Sequence, residues 1–259
     1  MVQTEAHPFD TVTPAPRVEM ASAGRCFPSG LRGEAIAGDF FDVFSLDENR
    51  TLIAVGDVVG HGVAAAARME ALRAENRELA VRGLAVAEVL HLLDLLQCHK
   101  GPEELATLWL GIYDRRTSWL DYSSAGHPPP VLAGVDGPTR LLAEASAPPL
   151  GTGQVDPHVM ADRVRLPPGA LLVTYSDGLI ERAGLDLEHQ LEALRLIVDK
   201  VYEPAMSQPS LEQMVERILQ QLPHSPVDAP DDVCILAVHL PRTITAACTV
   251  TRSRSRTSR

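Results

Sequence analysis

Four short segments of the sequence share one chemical design, in which an aspartate ends an apolar stretch beside a glycine or inside a tight loop. These segments are residues 37–44 (AGDFFDVF), 54–62 (AVGDVVGHG), 173–181 (VTYSDGLIE) and 230–238 (PDDVCILAV). Aspartate is disfavoured within apolar strands, and a buried carboxylate without a partner is costly or takes up a proton. One such segment alone is more often a turn with a solvated carboxylate. All four together favour a shared cation, and the aspartates concerned are Asp39, Asp57, Asp177 and Asp231.

The ligands that this pattern offers are oxygen atoms, which suit hard divalent cations. Mg²⁺ or Mn²⁺, held by carboxylates, a backbone carbonyl and water, is the natural occupant. Two such ions about 3.5–4 Å apart can hold and deprotonate a bridging water for in-line attack on phosphorus. Hard-metal sites rarely need imidazole, so we interpret His61 as a helix-entry residue and His127 as a loop anchor, although either could be a ligand or an acid.

Patterns typical of other functions are missing from the sequence. Ser123, Ser124 and Ser176 lack the G-x-S-x-G pattern of a serine hydrolase. No phosphate-binding G-x-x-x-x-G-K-S/T loop and no G-x-G-x-x-G after an apolar stretch is present, so nucleotide binding is not expected. The net charge is −11, although five arginines and no acids fall in the last 18 residues. The rest of the chain is therefore strongly acidic, which argues against nucleic acid as a partner.

Cysteine usage and hydropathy indicate the cellular compartment. The four cysteines are Cys26, Cys98, Cys234 and Cys248, and their spacings fit neither a zinc pattern nor a redox pair. We expect them to be free, buried thiols in a reducing cytoplasm. The N-terminus is not a secretory signal, and no run of 18 apolar residues occurs. The sequence therefore predicts a cytoplasmic protein without a membrane span or a membrane partner.

The elements that must position the aspartates are strand hairpins around a helical pair, followed by further strands and helices. Apolar periodicity predicts helices at residues 63–82, 86–98, 187–200 and 211–222. Gly83 should end the first helix, and Ser210 with Gln213 forms a capping box for the last. Strands are predicted at residues 18–27, 39–45, 51–57, 106–113, 119–124, 159–166, 170–176 and 233–240, and near Val131 and Leu141.

This order of elements favours antiparallel sheets covered by helices over a doubly wound parallel sheet, which is an α+β fold. We find no linker that would divide the chain into two domains. Residues 1–16, rich in Pro and Thr, are expected to be a loose leader, and the basic residues 242–259 a disordered tail. The expected domain is therefore residues 17–241.

Taken in order, the four segments, together with residues 106–132 and the PPLGTG motif at 148–153, resemble one family. It is the SpoIIE-type bacterial branch of the PPM metal-dependent protein serine/threonine phosphatases, and the resemblance covers about residues 18–240. It implies an α-β-β-α sandwich with a site for two Mn²⁺ or Mg²⁺ ions at one edge. It also implies dephosphorylation of phosphoserine or phosphothreonine on a regulatory protein, commonly an anti-sigma-factor antagonist in partner switching, by direct attack of a metal-bridging hydroxide.

The resemblance assigns roles to individual residues of this chain. Asp39 matches the aspartate of the family's Gly-Gly-Asp motif, and Asp57 matches the bridging aspartate, so both are the expected catalytic residues. The carbonyl of Val58 is implied as a further ligand. The remaining metal ligands implied are Asp177, Asp231 and, as the second choice of the final pair, Asp232.

Three functions remain open at this stage. The first is the metal-dependent protein phosphatase. The second is a non-catalytic, phosphatase-like scaffold that binds a phosphoprotein, which loss of a metal aspartate would signal. The third is a phosphatase of small metabolites. The helical pair at residues 63–98 is either a regulatory contact surface, for a partner or for a homodimer, or plain cover for the sheet.

Overall fold

Two sheets stack face to face, and each is covered on its outer side by a pair of helices. The strands are β1 (Ala21–Phe27), β2 (Phe40–Ser45), β3 (Arg50–Val58), β4 (Ala106–Asp114), β5 (Trp119–Ala125), β6 (Val131–Ala133), β7 (Arg140–Leu141), β8 (Ser146–Ala147), β9 (Asp162–Arg165), β10 (Leu171–Tyr175) and β11 (Val233–His239). The helices are α1 (Gly62–Val81), α2 (Val86–Lys100), α3 (Leu187–Val201) and α4 (Leu211–Gln221). This computed structural model describes residues 20–27, 38–101, 104–134, 137–156, 158, 161–181, 184–202, 211–224, 226, 229 and 231–240.

The strand order within each sheet brings distant parts of the chain together. The six-stranded sheet has the order β2-β3-β4-β5-β8, with β9 also paired to β5. The five-stranded sheet has the order β1-β11-β10-β6-β7. Every pairing is antiparallel except the short one between β5 and β8. Both sheets therefore have the antiparallel character that the sequence predicts.

Three apolar layers hold the sandwich together. In β3, Leu52 and Ala54 pack against the layer formed with α1 and α2, whereas Ile53 and Val55 face the other sheet. The third layer lies between the five-stranded sheet and the helices α3 and α4. Since the central strands are buried on both faces, their sequences are apolar throughout. The predicted α-β-β-α sandwich is confirmed.

Helix α2 is tied to the loop after β8 by one buried carboxylate. Asp94 accepts hydrogen bonds from the backbone N–H groups of Gly151 at 2.7 Å, Thr152 at 3.1 Å, Gly153 at 3.0 Å and Val155 at 3.0 Å. The Asp94 side chain is completely buried, and four donors compensate its lost hydration. These bonds join the PPLGTG motif to the helical pair.

The predicted elements agree closely with the observed ones. All four helices and all predicted strands are present, and Gly83 adopts a left-handed φ of +82° just after α1, as a helix-ending glycine does. The two-residue strand β8 was not predicted, because so short a segment carries no periodicity. The expected leader 1–16, the tail 242–259 and the capping Ser210 lie outside the described residues.

The expectation of free, buried thiols is wrong for three of the cysteines. Strand β1 pairs with β11 in a register that places Cys26 opposite Cys234, and a disulfide joins them. Cys98 is free but exposed, while Cys248 lies outside the described residues. The cysteine spacing could not reveal the pair, because 208 residues separate its members and only sheet register brings them together.

Within the described part of the chain, the helices are all too short or too polar to cross a lipid bilayer.

Candidate metal centre

Two of the predicted ligands come from neighbouring strands of the six-stranded sheet. Asp39 directly precedes β2, and Asp57 is the penultimate residue of β3. Because Phe40 pairs with Gly56, Asp39 and Asp57 lie side by side at the same edge of the sheet. Their carboxyl groups share a hydrogen bond.

The remaining carboxylates come from the matching edge of the five-stranded sheet. Asp177 opens a single 3-10 turn just after β10, and Asp231 and Asp232 directly precede β11. The antiparallel pairing of β10 with β11 brings these two chain positions together. Gly178 is needed here, because a Cβ atom on it would collide with the backbone carbonyl of Asp232.

Oxygen atoms also converge around Gly38, at the junction of the two sheets. A Cβ atom on Gly38 would lie 2.6 Å from the carbonyl oxygen of Val58 and 3.3 Å from Asp57 Oδ1. The Val58 carbonyl and the Asp57 carboxylate therefore border the same small space. Gly38 also donates its backbone N–H to Asp232 Oδ2 at 3.2 Å, which links the sheets beside the carboxylates.

Burial and like charges dominate the electrostatics of the cluster. Burial and the charge of Asp57 raise the pKa of Asp39, and burial and the charge of Asp177 raise that of Asp57. Burial, Glu181 and Asp231 raise the pKa of Asp177 as well. The cause is the same in each case, since desolvation and like charges both disfavour the ionised carboxylate. A bound divalent cation would reverse this balance.

The residues present fit a hard divalent cation. Asp39 Oδ2 is buried without a hydrogen-bond partner, and carboxylate and carbonyl oxygens are the ligands that Mg²⁺ and Mn²⁺ prefer. Among the residues that the structure describes, no three His, Cys, Asp or Glu side chains form a ready ligand set around one point. Ligation by Asp39, Asp57, Val58, Asp177, Asp231 and Asp232 therefore stays a prediction, as do the catalytic roles of Asp39 and Asp57.

Two residues near the site had no predicted role. Glu181 follows Asp177 by four positions and is close enough for its charge to act on it. The sequence contained a signal for it, since Glu181 closes the VTYSDGLIE segment. Arg68 of α1 donates from Nη2 to the carbonyl of Val59 at 2.7 Å, so the helix holds the loop that follows Asp57. The sequence contained no signal for Arg68, because it lies outside the segment at residues 54–62, nine positions after Val59.

The two histidines differ in their surroundings. His61 is exposed and occupies the N-terminal cap position of α1, as expected of a helix-entry residue. His127 is buried, and both of its ring nitrogens are hydrogen-bonded, as expected of a loop anchor.

Comparison with known sequences relates most of the chain to one family. The model of the SpoIIE family, described as Stage II sporulation protein E, matches residues 47–241. Phosphoserine phosphatase RsbP of Bacillus subtilis (strain 168) is 29% identical over 151 residues, which is 56% of this chain and 37% of that protein. Phosphoserine phosphatase RsbU of the same organism is 27% identical over 147 residues, covering 56% of this chain and 43% of that protein. The chain thus spans less than half the length of either relative.

Solved structures show the same fold. The RsbU and RsbW domains of Rv1364c from Mycobacterium tuberculosis superpose with a TM-score of 0.72 and 30% identity, covering 86% of this chain and 61% of that one. The PP2C phosphatase domain of SpoIIE from Bacillus subtilis gives a TM-score of 0.66 at 17% identity, covering 85% of this chain and 63% of that one. RsbX in complex with magnesium gives 0.64 at 15% identity, covering 85% of this chain and 95% of that one. The last two, at such low identity, bear on the fold alone.

Proposed function

The chain belongs to the SpoIIE family of PPM-type serine/threonine phosphatases, and on that premise we propose that it is a metal-dependent phosphatase of phosphoserine or phosphothreonine on a regulatory protein. The proposed substrate is an anti-sigma-factor antagonist of the kind used in partner switching. Relatives named phosphoserine phosphatase, and a structure that contains both an RsbU and an RsbW domain, support this choice.

One observation carries the proposal. Carboxylates from both sheets lie close enough at one edge of the sandwich for their charges to interact, and Oδ2 of Asp39 is buried there without a hydrogen-bond partner. A cluster of like charges destabilises an empty site, and such a cluster is expected where a protein binds cations. None of the carboxylates that the family pattern requires is missing, which argues against a non-catalytic scaffold.

The chain's own residues would hold and orient the reacting groups. Two divalent cations bound here would supply an activated water and offset the charge of the phosphoryl group. Asp57 and the Val58 carbonyl would bind from the six-stranded sheet together with Asp39. Asp177 and Asp231, with Asp232 as the second choice, would bind from the other sheet.

Direct attack by water, without a phosphoenzyme, is consistent with the bonding of Ser176 and Cys234, the two candidate nucleophiles beside the site. Ser176 is engaged, because its hydroxyl bonds to Asp39 and accepts the N–H of Cys234 at 2.8 Å. The sulfur of Cys234 is engaged in the disulfide. Neither side chain is therefore placed as a free nucleophile.

A second part of the proposal concerns the partner surface. The helices α1 and α2, within residues 63–98, expose the apolar side chains of Val63, Val81, Leu95 and Leu96. We propose this surface as the contact for a regulatory partner or for a second copy of the chain. Burial of these side chains against a partner would stabilise such a contact.

The substrate class can be tested by comparing turnover of three compounds in the presence of Mn²⁺. These are a phosphorylated anti-sigma-factor antagonist, a phosphoserine peptide and para-nitrophenyl phosphate. The proposal requires the highest kcat/KM for the phosphoprotein. Preference for a small phosphoester would favour a metabolite phosphatase, and binding of the phosphoprotein without turnover would favour a scaffold.

A further inference from the structure

His127 lies between the two sheets, where its ring contacts strands that carry or lead to predicted metal ligands. It follows β5 through Gly126, which has a left-handed φ of +65°. A Cβ atom on Gly126 would lie 2.6 Å from Cγ of Pro149, so only glycine allows this turn. The turn directs His127 inward, where its exposed fraction is 6%.

Both ring nitrogens of His127 are used. Nε2 lies 3.0 Å from the backbone carbonyl oxygen of Tyr175, and Nδ1 lies 2.8 Å from Oγ1 of Thr107. A carbonyl oxygen can only accept, so Nε2 carries the hydrogen and donates it. In a neutral ring Nδ1 is then an acceptor, and the Thr107 hydroxyl donates to it. Burial lowers the pKa of His127 to about 4, so the ring is neutral at physiological pH.

The two partners of the ring belong to different sheets, and each lies close to a predicted metal ligand. Thr107 is directly opposite Asp57 in the pairing of β3 with β4. Tyr175 is the last residue of β10, two positions before Asp177. The imidazole therefore spans the gap between the strand pair that carries Asp57 and the strand that leads to Asp177.

The hydrogen bonds of His127 are directional, whereas the contacts of the apolar layer between the sheets are not. Side chains such as Ile53, Val55 and Leu172 hold the sheets together, but hydrophobic contact is non-directional. It opposes separation of the sheets more than small sliding of one over the other. Two hydrogen bonds on a rigid ring fix a direction and a distance. Since misplacement of reacting groups by about 1 Å can cost about 10²-fold in rate, this spacing matters to the site.

We propose that His127 and Thr107 are positioning residues, which set the distance between the two halves of the metal centre. This inference rests on the proposed metal-dependent function. It gives His127 a role through Thr107 and Tyr175 rather than through contact with a cation or a substrate.

A matched pair of substitutions at Thr107 tests the inference. Thr107→Val keeps the branched shape and the volume but removes the hydroxyl, whereas Thr107→Ser keeps the hydroxyl and removes the methyl group. A purely structural role in a β-strand predicts that Ser is the more damaging change, because β-branched residues suit strands. A positioning role predicts the reverse order.

The readout is Mn²⁺ affinity, measured directly from the electron paramagnetic resonance signal of free Mn²⁺ during titration. We expect Thr107→Val to bind Mn²⁺ about tenfold more weakly than the wild type, as losses of groups that orient ligands typically do, and Thr107→Ser to bind nearly normally. Thermal unfolding without metal identifies any variant that fails to fold. The positioning role also predicts that kcat/KM falls in Thr107→Val and is close to the wild-type value in Thr107→Ser.

The outcomes separate this inference from the proposed function. If the wild type binds Mn²⁺ and both Thr107 variants bind it equally well, the positioning role is overturned and the proposed function stands. If the Ser variant is the weaker binder, the contact is structural only. If the wild type itself binds no Mn²⁺ or Mg²⁺, the proposed function fails and this inference fails with it.

Discussion

Gly38 donates its backbone N–H to Asp232 Oδ2 at 3.2 Å, although 194 residues separate the two along the chain. The bond joins the strand edge that carries Asp39 to the strand edge that carries Asp232. In the proposed metal centre each sheet supplies only part of the ligand set, so metal binding there should be coupled to the stability of the whole sandwich. The first prediction follows from this coupling.

Mn²⁺ should raise both the activity and the thermal stability of the protein. A ligand present at about 100 times its Kd stabilises the native state by about 2.7 kcal/mol, which corresponds to a rise in Tm of roughly 5–10 °C for a domain of this size. We expect EDTA to remove phosphatase activity and excess Mn²⁺ to restore it. Melting curves and turnover should be recorded on the same samples. Full activity in protein shown to be metal-free would contradict the proposed mechanism.

Asp57→Asn should abolish catalysis without unfolding the protein. The substitution removes the proposed bridging ligand, and a loss of several kcal/mol of transition-state stabilisation corresponds to roughly 10³-fold in kcat/KM or more. Since burial and Asp177 disfavour the charged form of Asp57, the variant should be at least as stable as the wild type in EDTA. Asp121→Asn is a suitable control, because Asp121 pairs with Arg163 on an exposed part of β5. Near wild-type turnover by Asp57→Asn would show that the assignment is wrong.

His127 should make the metal-free protein less stable as the pH falls. Burial lowers its pKa from 6.5 to about 4, so below pH 6.5 the unfolded chain takes up a proton that the folded protein does not. This contribution to stability is complete above pH 6.5 and is lost as the pH falls toward 4. Relative to His127→Gln, the free energy of unfolding of the wild type should fall by about 2 kcal/mol between pH 7 and pH 5.

Urea unfolding of both proteins in EDTA measures this difference. The comparison with the variant cancels the contribution of the carboxylates, whose raised pKa values act in the opposite direction. If the difference in unfolding free energy between the two proteins does not change with pH, His127 is not held neutral by burial.

The disulfide between Cys26 and Cys234 should contribute substantially to stability. It joins the edge strand β1 to β11 across 208 residues of chain, and loss of such a bond costs about 2–5 kcal/mol. Cys26→Ser should therefore unfold at lower denaturant concentration than the oxidised wild type, and dithiothreitol should bring the wild type to the same value. Cys98→Ser is the matched control, since Cys98 is exposed and free. Equal stability of Cys26→Ser and the oxidised wild type would contradict the prediction.

The sequence predicted the elements because their apolar periodicity is set by local geometry. The stripe of α1 is an example. The residues recurring there at spacings of three and four are all buried except Met69, which is half-buried; they are Ala65, Met69, Leu72, Asn76 and Leu79. The aspartates Asp39, Asp57 and Asp177 were found for a related reason. A charged residue at the end of an apolar strand conflicts with its surroundings unless it has a function, and that conflict is visible in the sequence.

The parts that could not be predicted depend on register between distant strands. The pairing of Cys26 with Cys234 and the placement of Thr107 opposite Asp57 follow from strand alignment, which single-sequence patterns do not specify. His127 was expected to anchor a loop, with a ligand or acid role as the alternative. Its bridge between the sheets became apparent once Thr107 and Tyr175 were seen on opposite sides of its ring.

The buried Asp94 has a consequence for how the helical pair can be observed. Its carboxylate is the acceptor for amides of the segment from Gly151 to Val155, which lies in a loop rather than in a helix or a strand. The amide hydrogens of that loop therefore exchange slowly with solvent only while α2 is seated against the sheet. Deuterium uptake at these four amides therefore reports whether α2 is packed against the sheet, and it can be measured without substrate or partner.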